Sequence, residues 1–148
     1  MQPPTERQQA LKLLSRREHT LEELKRKLAK LGSKPDDVTD TVTKLAGEGL
    51  QSDARFVEQF VAYRTQRGYG PLYLMQALRE RGVSDELIHA HVNVNDATWD
   101  ERLAQIRQKR FGDDSPKDTR DYARQQRFLR YRGFTDAQVR KVLGAIPS

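Results

Sequence analysis

The sequence predicts an all-α protein made of three tandem three-helix repeats. Three glycines, Gly32, Gly82 and Gly133, recur at intervals of 50 and 51 residues, each within a similar pattern of apolar residues. A recurrence of this length is typical of repeat architectures. Hydrophobic residues make up 36% of the chain and charged residues 32%, a balance that suits several small helical units better than one thick core.

Each of these glycines is expected to lie in the turn between two helices. A leucine precedes it by four residues, a branched aliphatic follows it by six, and another aliphatic follows by ten. The residues are Leu28, Val38 and Val42 in the first repeat, Leu78, Ile88 and Val92 in the second, and Leu129, Val139 and Leu143 in the third. Apolar residues four apart lie on one helix face, and glycine readily adopts the left-handed conformation that ends a helix.

The repeats are expected to follow one another along an elongated, curved protein. Their predicted ranges are 1–50, 51–94 and 95–148. Each begins with an amphipathic segment that predicts its first helix, at about 5–17, 53–67 and 96–111.

The second helix of each repeat starts with a different signal. In the first repeat, Thr20 and Glu23 form the T-x-x-E pattern of a capping box. In the second, Gly70 is expected at the N-cap and Pro71 at the first helical position. In the third, Ser115-Pro116 predicts an earlier start and a longer helix. The third helices are expected to begin after the hydroxyl residues Ser84 and Thr135.

The stretch Gly68-Tyr69-Gly70 has the composition of a phosphate-binding loop, but a structural role fits it better. It lacks the spacings of the nucleotide-binding fingerprints, and no hydrophobic strand precedes it. Tyr69 can instead pack on Leu74 and fix the entry into the helix. The helix N-terminus could still accept a phosphate or carboxylate of a partner, because its free amides point outward and Arg67 lies beside them.

Enzymatic and metal-dependent functions find no support in the residues. There is no cysteine, and the three histidines lie in no metal-binding or catalytic pattern. We therefore expect no catalytic residue, no metal and no cofactor. No apolar run is long enough to cross a membrane and the N-terminus has no export signal, so a cytoplasmic location is expected. We also expect a monomer.

The distribution of charge is the strongest functional signal. The formal net charge is +6, and between Arg102 and Arg132 ten basic residues accompany only four acidic ones. Such a surface favours polyanions, either DNA phosphates or an acidic protein groove. Arg120, Arg124 and Arg127 are spaced to share one helix face. The candidate residues for binding a partner or nucleic acid are Arg16, Arg17, Arg67, Tyr69, Lys109, Arg110, Arg120, Arg124, Arg127, Arg130 and Arg132.

The middle repeat, "SDARFVEQFVAYRTQRGYGPLYLMQALRERGVSDELI", resembles the RecX family of bacterial regulatory proteins. The likeness is carried by residues at family spacings: Asp53, Phe56, Phe60, Arg64, Arg67, Gly68, Tyr69, Gly70, Pro71, Leu78 and Gly82. The start "SRRE" at Ser15–Glu18 and the closing Arg132-Gly133-Phe134 are similar to the family's first and third units. Ala54-Arg55 departs from the family, which often has acidic residues before Phe56.

The resemblance implies a non-enzymatic modulator of the RecA recombinase. Family members lie along the groove of the RecA–DNA filament and block its growth or activities. The basic C-terminal third would then contact single- or double-stranded DNA or an acidic RecA surface. An alternative is a free-standing helical protein that binds duplex DNA with its helix-turn-helix-like units. The acidic segments "DDVTDTV" and "SDELIHAHV" argue against groove reading by the first two repeats.

Overall fold

The computed structural model describes residues 2–147, and this part of the chain contains nine α-helices and no β-strand. The helices are α1 (Glu6–Arg16), α2 (Leu21–Lys30), α3 (Pro35–Gly47), α4 (Asp53–Gln66), α5 (Pro71–Glu80), α6 (Asp85–His91), α7 (Thr98–Phe111), α8 (Thr119–Tyr131) and α9 (Asp136–Leu143). The all-α prediction is confirmed. The predicted first helices of the repeats correspond to α1, α4 and α7, with ends that differ by at most two residues.

The chain divides into two compact units. The N-terminal unit contains Met1–Phe60 and Leu78–Ile88, and the C-terminal unit contains Val61–Ala77 and His89–Ser148. Helices α4, α5 and α6 of the predicted middle repeat therefore each contribute residues to both units. The boundaries of the three predicted repeats stay a prediction.

The core of the N-terminal unit forms where α1, α2 and α3 pack together. Its buried members are Ala10, Leu24, Leu28, Val38, Val42 and Leu45, and partly buried leucines of α1 and α2 pack around them. Leu28, Val38 and Val42, which the repeat pattern selects in the first repeat, are all part of this core. Burying such a side chain contributes about 1.5–3 kcal/mol, so the apolar stripe of each helix supplies the stability that its short length does not.

The repeat glycines end their helices in the same way. Gly32, Gly82 and Gly133 have φ values of 98°, 80° and 100°, in the left-handed region. In each case the amide after the glycine donates to the carbonyl of the leucine four residues before it, at 3.1–3.3 Å. This is the Schellman motif, in which a left-handed residue lets two terminal carbonyls be satisfied. The fixed leucine-to-glycine spacing in the sequence follows from this hydrogen bond and from burial of the leucine side chain.

The helix starts agree with the sequence prediction at several positions. Thr20 accepts from the Glu23 amide at 3.0 Å, and the Glu23 carboxylate accepts from the Thr20 amide at 3.0 Å. Thr135 and Gln138 form an equivalent capping box at α9. Ser84 accepts from the Leu87 amide at 3.2 Å, which caps α6.

The predicted start of the second helix in the third repeat is wrong. Ser115 and Pro116 lie in the loop before α8, which begins at Thr119 after the N-cap Asp118. The Asp118 carboxylate accepts from the Asp121 amide at 2.7 Å. An N-cap aspartate satisfies a free helix amide more directly than a Ser-Pro step, and it sets the helix start. Helix α8 is nevertheless longer than α2 and α5, as the sequence predicts.

A buried histidine lies at the junction of α1 and α2 in the N-terminal unit. Nδ1 of His19 lies 3.0 Å from the carbonyl oxygen of Arg17, and Nε2 lies 3.0 Å from Nζ of Lys27. Because a carbonyl only accepts, Nδ1 carries the proton and Nε2 accepts from the ammonium group. Burial is the main cause of the lowered pKa of His19, and the charges of Arg17 and Lys27 add to it. The imidazole ring of His19 is therefore neutral in the folded structure.

Basic side chains of α2 have partners within the N-terminal unit. Arg26 donates to the carbonyl of Glu80 at 2.9 Å, and Lys25 lies 3.6 Å from Glu22. The Thr20 hydroxyl donates to the carbonyl of Arg81 at 2.7 Å. The bonds from Arg26 and Thr20 satisfy carbonyls at the end of α5 that the helix itself leaves unpaired.

The C-terminal unit is organised around buried side chains of α7, α8 and α9. Trp99 packs edge-on against Phe134 with ring centroids 6.3 Å apart, and its indole N–H donates to the carbonyl of Asn93 at 2.8 Å. Leu103, Leu129 and Val139 are fully buried, as the repeat pattern predicts for the last two. Within residues 2–147, no helix is long and apolar enough to cross a membrane.

Two basic clefts in the C-terminal unit

Four cationic side chains from three separate segments of the sequence line one cleft of the C-terminal unit. We call it the first basic cleft; it is lined by Gln66, Arg67, Gly68, Ile106, Lys109, Arg110, Phe128 and Arg132, with a volume of about 270 Å³. Arg67 follows α4, Lys109 and Arg110 lie in the last turn of α7, and Arg132 follows α8. No acidic residue belongs to this lining, so the cleft concentrates positive charge.

Aromatic rings hold the guanidinium groups of this cleft in place. The guanidinium carbons of Arg110 and Arg132 lie 4.8 and 5.2 Å from the ring centroid of Phe128. That of Arg132 also lies 5.1 Å from the ring of Tyr69. A guanidinium that stacks on a ring keeps its N–H edge free for a partner, and stacking reduces the entropy lost on binding. The cleft therefore presents arginines that are already ordered.

The N-terminus of α5 is closed, which corrects the expectation of outward-pointing amides. The amide of Gly70 donates to the carbonyl of Arg132 at 2.7 Å, and the amide of Leu72 donates to the carbonyl of Gly133 at 2.8 Å. Gly70 and Pro71 are buried. A Cβ on Gly70 would lie 2.7 Å from the Gly133 oxygen, so the two backbones approach too closely for a larger residue. This terminus is unavailable to an external phosphate or carboxylate.

The three arginines on one face of α8 line a second cleft, as their spacing predicts. We call it the second basic cleft; its lining includes Phe111, Asp114, Ser115, Lys117, Asp118, Arg120, Asp121, Arg124, Gln125 and Arg127, and its volume is about 730 Å³. Unlike the first cleft, it contains carboxylates. The guanidinium carbon of Arg124 lies 4.9 Å from the Phe111 ring, and this arginine donates to Asp121 at 2.8 Å.

Asp121 anchors the loop that leads into α8. Its carboxylate accepts from the Lys117 amide at 3.0 Å and from the Gln125 side chain at 3.3 Å. The Lys117 hydrogen bond is the main cause of its lowered pKa of about 2, and the hydrogen bond from Arg124 adds to it. A carboxylate that stays ionised offsets part of the positive charge of the second cleft.

Arg107 is a buried cation that the sequence prediction missed. Its side chain donates to Oε1 of Gln125 at 3.0 Å and to the carbonyl of Asp114. Trp99, Leu103 and Arg107 are spaced by four residues and are all buried. A charged residue on the apolar stripe of a helix was the signal that could have identified it. Arg107 fixes the loop between α7 and α8, and with it one wall of the second cleft.

Several other predicted binding residues have partners within their own unit. Arg17 donates to Glu23 at 3.2 Å, and Arg130 lies 2.8 Å from Asp136. Tyr69 stacks on Tyr73 with ring centroids 4.1 Å apart. Its expected packing on Leu74 stays a prediction. Arg16 is exposed at the end of α1, in the N-terminal unit.

The aromatic rings of the C-terminal unit are poorly placed for stacking on bases. Phe111 and Phe128 contact each other edge to face at 5.5 Å, and arginines lie over both. Tyr63 is 54% exposed, but the guanidinium carbon of Arg67 lies 5.1 Å from its ring centroid. Tyr131 is an exception: the sequence suggested a packing role for it, but it is 85% exposed. The rings chiefly order arginines, a role that their sequence spacing does not reveal.

No group of three or more His, Cys, Asp or Glu side chains that could hold a metal ion occurs among residues 2–147. The arrangement consists of cations, hydrogen-bond donors and covered rings. It defines an all-α protein with basic clefts in its C-terminal unit.

Comparison with known proteins identifies the family. Sequence models of the first, second and third three-helix domains of RecX match residues 7–45, 52–91 and 99–143. The protein named "Regulatory protein RecX" of Halorhodospira halophila is 44% identical over 139 residues, which cover 94% of this chain and 86% of the relative. The protein of the same name from Chromohalobacter salexigens is 42% identical, over 96% and 93% of the two chains. The chain belongs to the RecX family.

Solved structures agree on the fold. The crystal structure of RecX from Lactobacillus salivarius aligns with a TM-score of 0.76 and 21% sequence identity, over 93% of this chain and 92% of the other. A second crystal structure of a regulatory protein RecX aligns with a TM-score of 0.72 over 93% of this chain and 71% of the other. The expected RecX fold is thereby confirmed.

Proposed function

We propose that this protein is a non-enzymatic regulator that binds the RecA–DNA filament along its groove and restrains filament growth and recombinase activity. The family supplies the expectation of a regulatory role, since relatives at 42–44% identity carry the name "Regulatory protein RecX". The single observation that supports binding is the first basic cleft, where four cations meet without an acidic residue. The mechanism is steric occupancy, which needs no catalytic group.

The two clefts divide the binding task. The first cleft, with ordered arginines and no carboxylate, suits phosphate groups of DNA, because guanidinium forks match phosphate oxygens. The second cleft is also basic, but Asp118 and Asp121 lower its net charge. It suits the mixed charges of a protein surface better than a continuous phosphate backbone.

A free-standing duplex-binding protein receives less support from the geometry. Helices α3 and α6 have acidic first turns, with Asp36 and Asp37 in one and Asp85 and Glu86 in the other. Negative charge at the start of a recognition helix opposes its entry into a groove lined by phosphates. In α9, Lys141 donates to Asp100 at 2.8 Å, which reduces the charge available for duplex contact.

The proposal is tested with purified RecA on single-stranded DNA. Three proteins are compared with the wild type. One carries Arg67→Gln, Lys109→Gln and Arg110→Gln, and another carries Arg120→Gln, Arg124→Gln and Arg127→Gln. A matched control carries Lys12→Gln, Lys30→Gln and Lys34→Gln, which remove equal charge from the exposed surface of the N-terminal unit.

We expect the wild type and the lysine control to reduce RecA ATP hydrolysis and strand exchange, and both cleft variants to do so at higher concentration only. If the wild type leaves both RecA activities unchanged, the proposal is refuted. If the lysine control loses as much activity as the cleft variants, net charge rather than the clefts carries the effect.

A further inference from the structure

The turn after α8 is tied to the turn after α4 by both backbone and side chain. Nη1 of Arg132 donates to the carbonyl of Arg67 at 3.1 Å, across 65 positions of the sequence. The carbonyls of Arg132 and Gly133 accept from the amides of Gly70 and Leu72. The two signature motifs, Arg67–Pro71 and Arg132–Phe134, thus form one structural element within the C-terminal unit.

The guanidinium of Arg132 is directed toward the protein rather than toward a ligand. It lies near the rings of Tyr69 and Phe128 and donates to the Arg67 carbonyl. Arg132 is only partly exposed, whereas Arg67, Lys109 and Arg110 are exposed at the same cleft. Arg132 therefore contributes to the cleft through the residues it orders.

Arg67 is the residue that depends most on this arrangement. It lies directly after α4, where its amide bonds to the carbonyls of Tyr63 and Arg64 at 3.2 and 3.1 Å, and Gly68 follows with a φ of 91°. A residue before a left-handed turn has no later helical turn to fix its carbonyl. The bond from Arg132 fixes that carbonyl, and the side chain of Arg67 then extends along Tyr63 with its phenolic oxygen at 2.9 Å.

We propose that Arg132 is a positioning residue of the first basic cleft: it holds Arg67 so that Arg67, Lys109 and Arg110 converge on phosphate groups of a nucleic-acid backbone. The inference rests on the proposed function, whose ligand it specifies. Phosphodiesters fit because the lining lacks carboxylates and because a guanidinium has five N–H donors, more than the bonds to Tyr63 and to the Arg67 carbonyl use. The ring faces are covered, so binding does not depend on base stacking.

The experiment is a double-mutant cycle on direct binding, without RecA. Wild type, Arg67→Gln, Arg132→Lys and the double variant are titrated against a fluorescein-labelled thymidine homopolymer by anisotropy, over a series of salt concentrations. Arg132→Lys keeps the net charge but lacks the planar fork that stacks and donates together. Arg130→Lys is the matched control, because Arg130 is on the same turn and pairs with Asp136 instead.

We expect Arg132→Lys to weaken binding about fivefold to tenfold and to lower the salt slope by about 0.7, the value for one lost phosphate contact on a single strand. In the Arg67→Gln background the same substitution should have little further effect, because its target is already absent. The Arg67 side-chain Nε–H resonance should also shift in Arg132→Lys and not in Arg130→Lys. Thermal unfolding of each variant shows whether the binding temperature lies within the folded range.

The inference is overturned if the factors by which Arg67→Gln and Arg132→Lys each weaken binding multiply in the double variant. It is equally overturned if Arg132→Lys binds the oligonucleotide as tightly as the wild type does. It is also overturned if polyglutamate competes as well as the oligonucleotide at equal charge, since the ligand would then be an acidic protein. Should Arg132→Lys fail to fold, Arg132→Gln takes its place in the cycle. The Arg67 Nε–H resonance then reports whether Arg67 has lost its position. RecA inhibition is measured separately, so a failure of the proposed function can be distinguished from a failure of this inference.

Discussion

The amide of Gly70 donates a hydrogen bond of 2.7 Å to the carbonyl of Arg132. This contact converts an expected helix N-terminus with free amides into an internal joint of the C-terminal unit. It also explains why glycine lies on both sides of the contact. A Cβ on Gly70 would meet the Gly133 backbone, and a Cβ on Gly133 would meet Tyr73.

Substitution of Gly133 by alanine should be more damaging than the same change at a glycine with equal backbone geometry. Gly133 has a φ of 100°, and its added Cβ would lie 2.5 Å from the Tyr73 backbone nitrogen. Gly32 has a φ of 98°, with nothing within 4 Å of its added Cβ. Gly32→Ala should cost about 1–2 kcal/mol from left-handed strain. Gly133→Ala should cost about 1–3 kcal/mol more from overpacking.

Urea unfolding followed by circular dichroism measures this difference. Equal losses in the two variants would show that the turn, and not the contact with Tyr73, determines the need for glycine at position 133.

Stability of the N-terminal unit should fall in mildly acidic solution because of His19. Its folded pKa lies below the ordinary value of 6.5, so the unfolded chain binds more protons between the two values. The contribution is present above about pH 6.5. It is lost as the pH falls through the lowered folded pKa, where protonated Nε2 would face the ammonium of Lys27.

The measurement is the unfolding free energy of wild type and His19→Gln between pH 7 and pH 5. The difference between them should shrink as the pH falls. His89→Gln, the same substitution at an exposed histidine, is the control variant. A difference independent of pH would contradict the neutral assignment of His19.

The carboxyl of Asp121 should titrate near pH 2, compared with an ordinary value of 3.8. Its stabilising contribution is present above the ordinary value and is lost as the pH falls toward 2. Arg124→Gln removes one of the hydrogen bonds that favour the ionised form, so it should raise the Asp121 pKa. Carboxyl carbon NMR follows the titration directly. Arg120→Gln, on the same helix, should leave it nearly unchanged, and equal shifts in both variants would indicate a general charge effect.

Loss of the buried Arg107 side chain should destabilise the C-terminal unit. Arg107→Met leaves the Gln125 oxygen and the Asp114 carbonyl without their donor, which costs about 1–3 kcal/mol for a buried acceptor. Chemical unfolding followed by Trp99 fluorescence measures the effect. Arg102→Met, at an exposed arginine of the same helix, is the control and should change stability by less than about 0.5 kcal/mol.

A second variant separates the hydrogen bond from the packing of Arg107. Adding Gln125→Leu to Arg107→Met removes the orphaned acceptor and should recover part of the loss. If the loss of unfolding free energy in the double variant equals the sum of the losses in the two single variants, the contact between these side chains does not account for the stability.

The amino-acid sequence by itself determined the helices and the way they end. The Thr20–Glu23 capping box, the left-handed Gly32, Gly82 and Gly133, and the shared face of Arg120, Arg124 and Arg127 were all predicted. Each depends on residues within about one or two helical turns, whose geometry is fixed by the backbone. The prediction for the start of α8 failed because Ser115-Pro116 and Asp118 are both possible helix starts within a few residues, and Asp118 provided the stronger cap.

Only the tertiary structure decided how distant segments combine. The contact between Arg132 and Arg67, the pairing of His19 with Lys27 and the burial of Arg107 join helices or loops whose relation no local pattern states. A basic residue looks the same in the sequence whether it faces solvent or closes a buried hydrogen bond. Packing of the apolar stripes brings these groups together, and it thereby selects which arginines remain available to a partner.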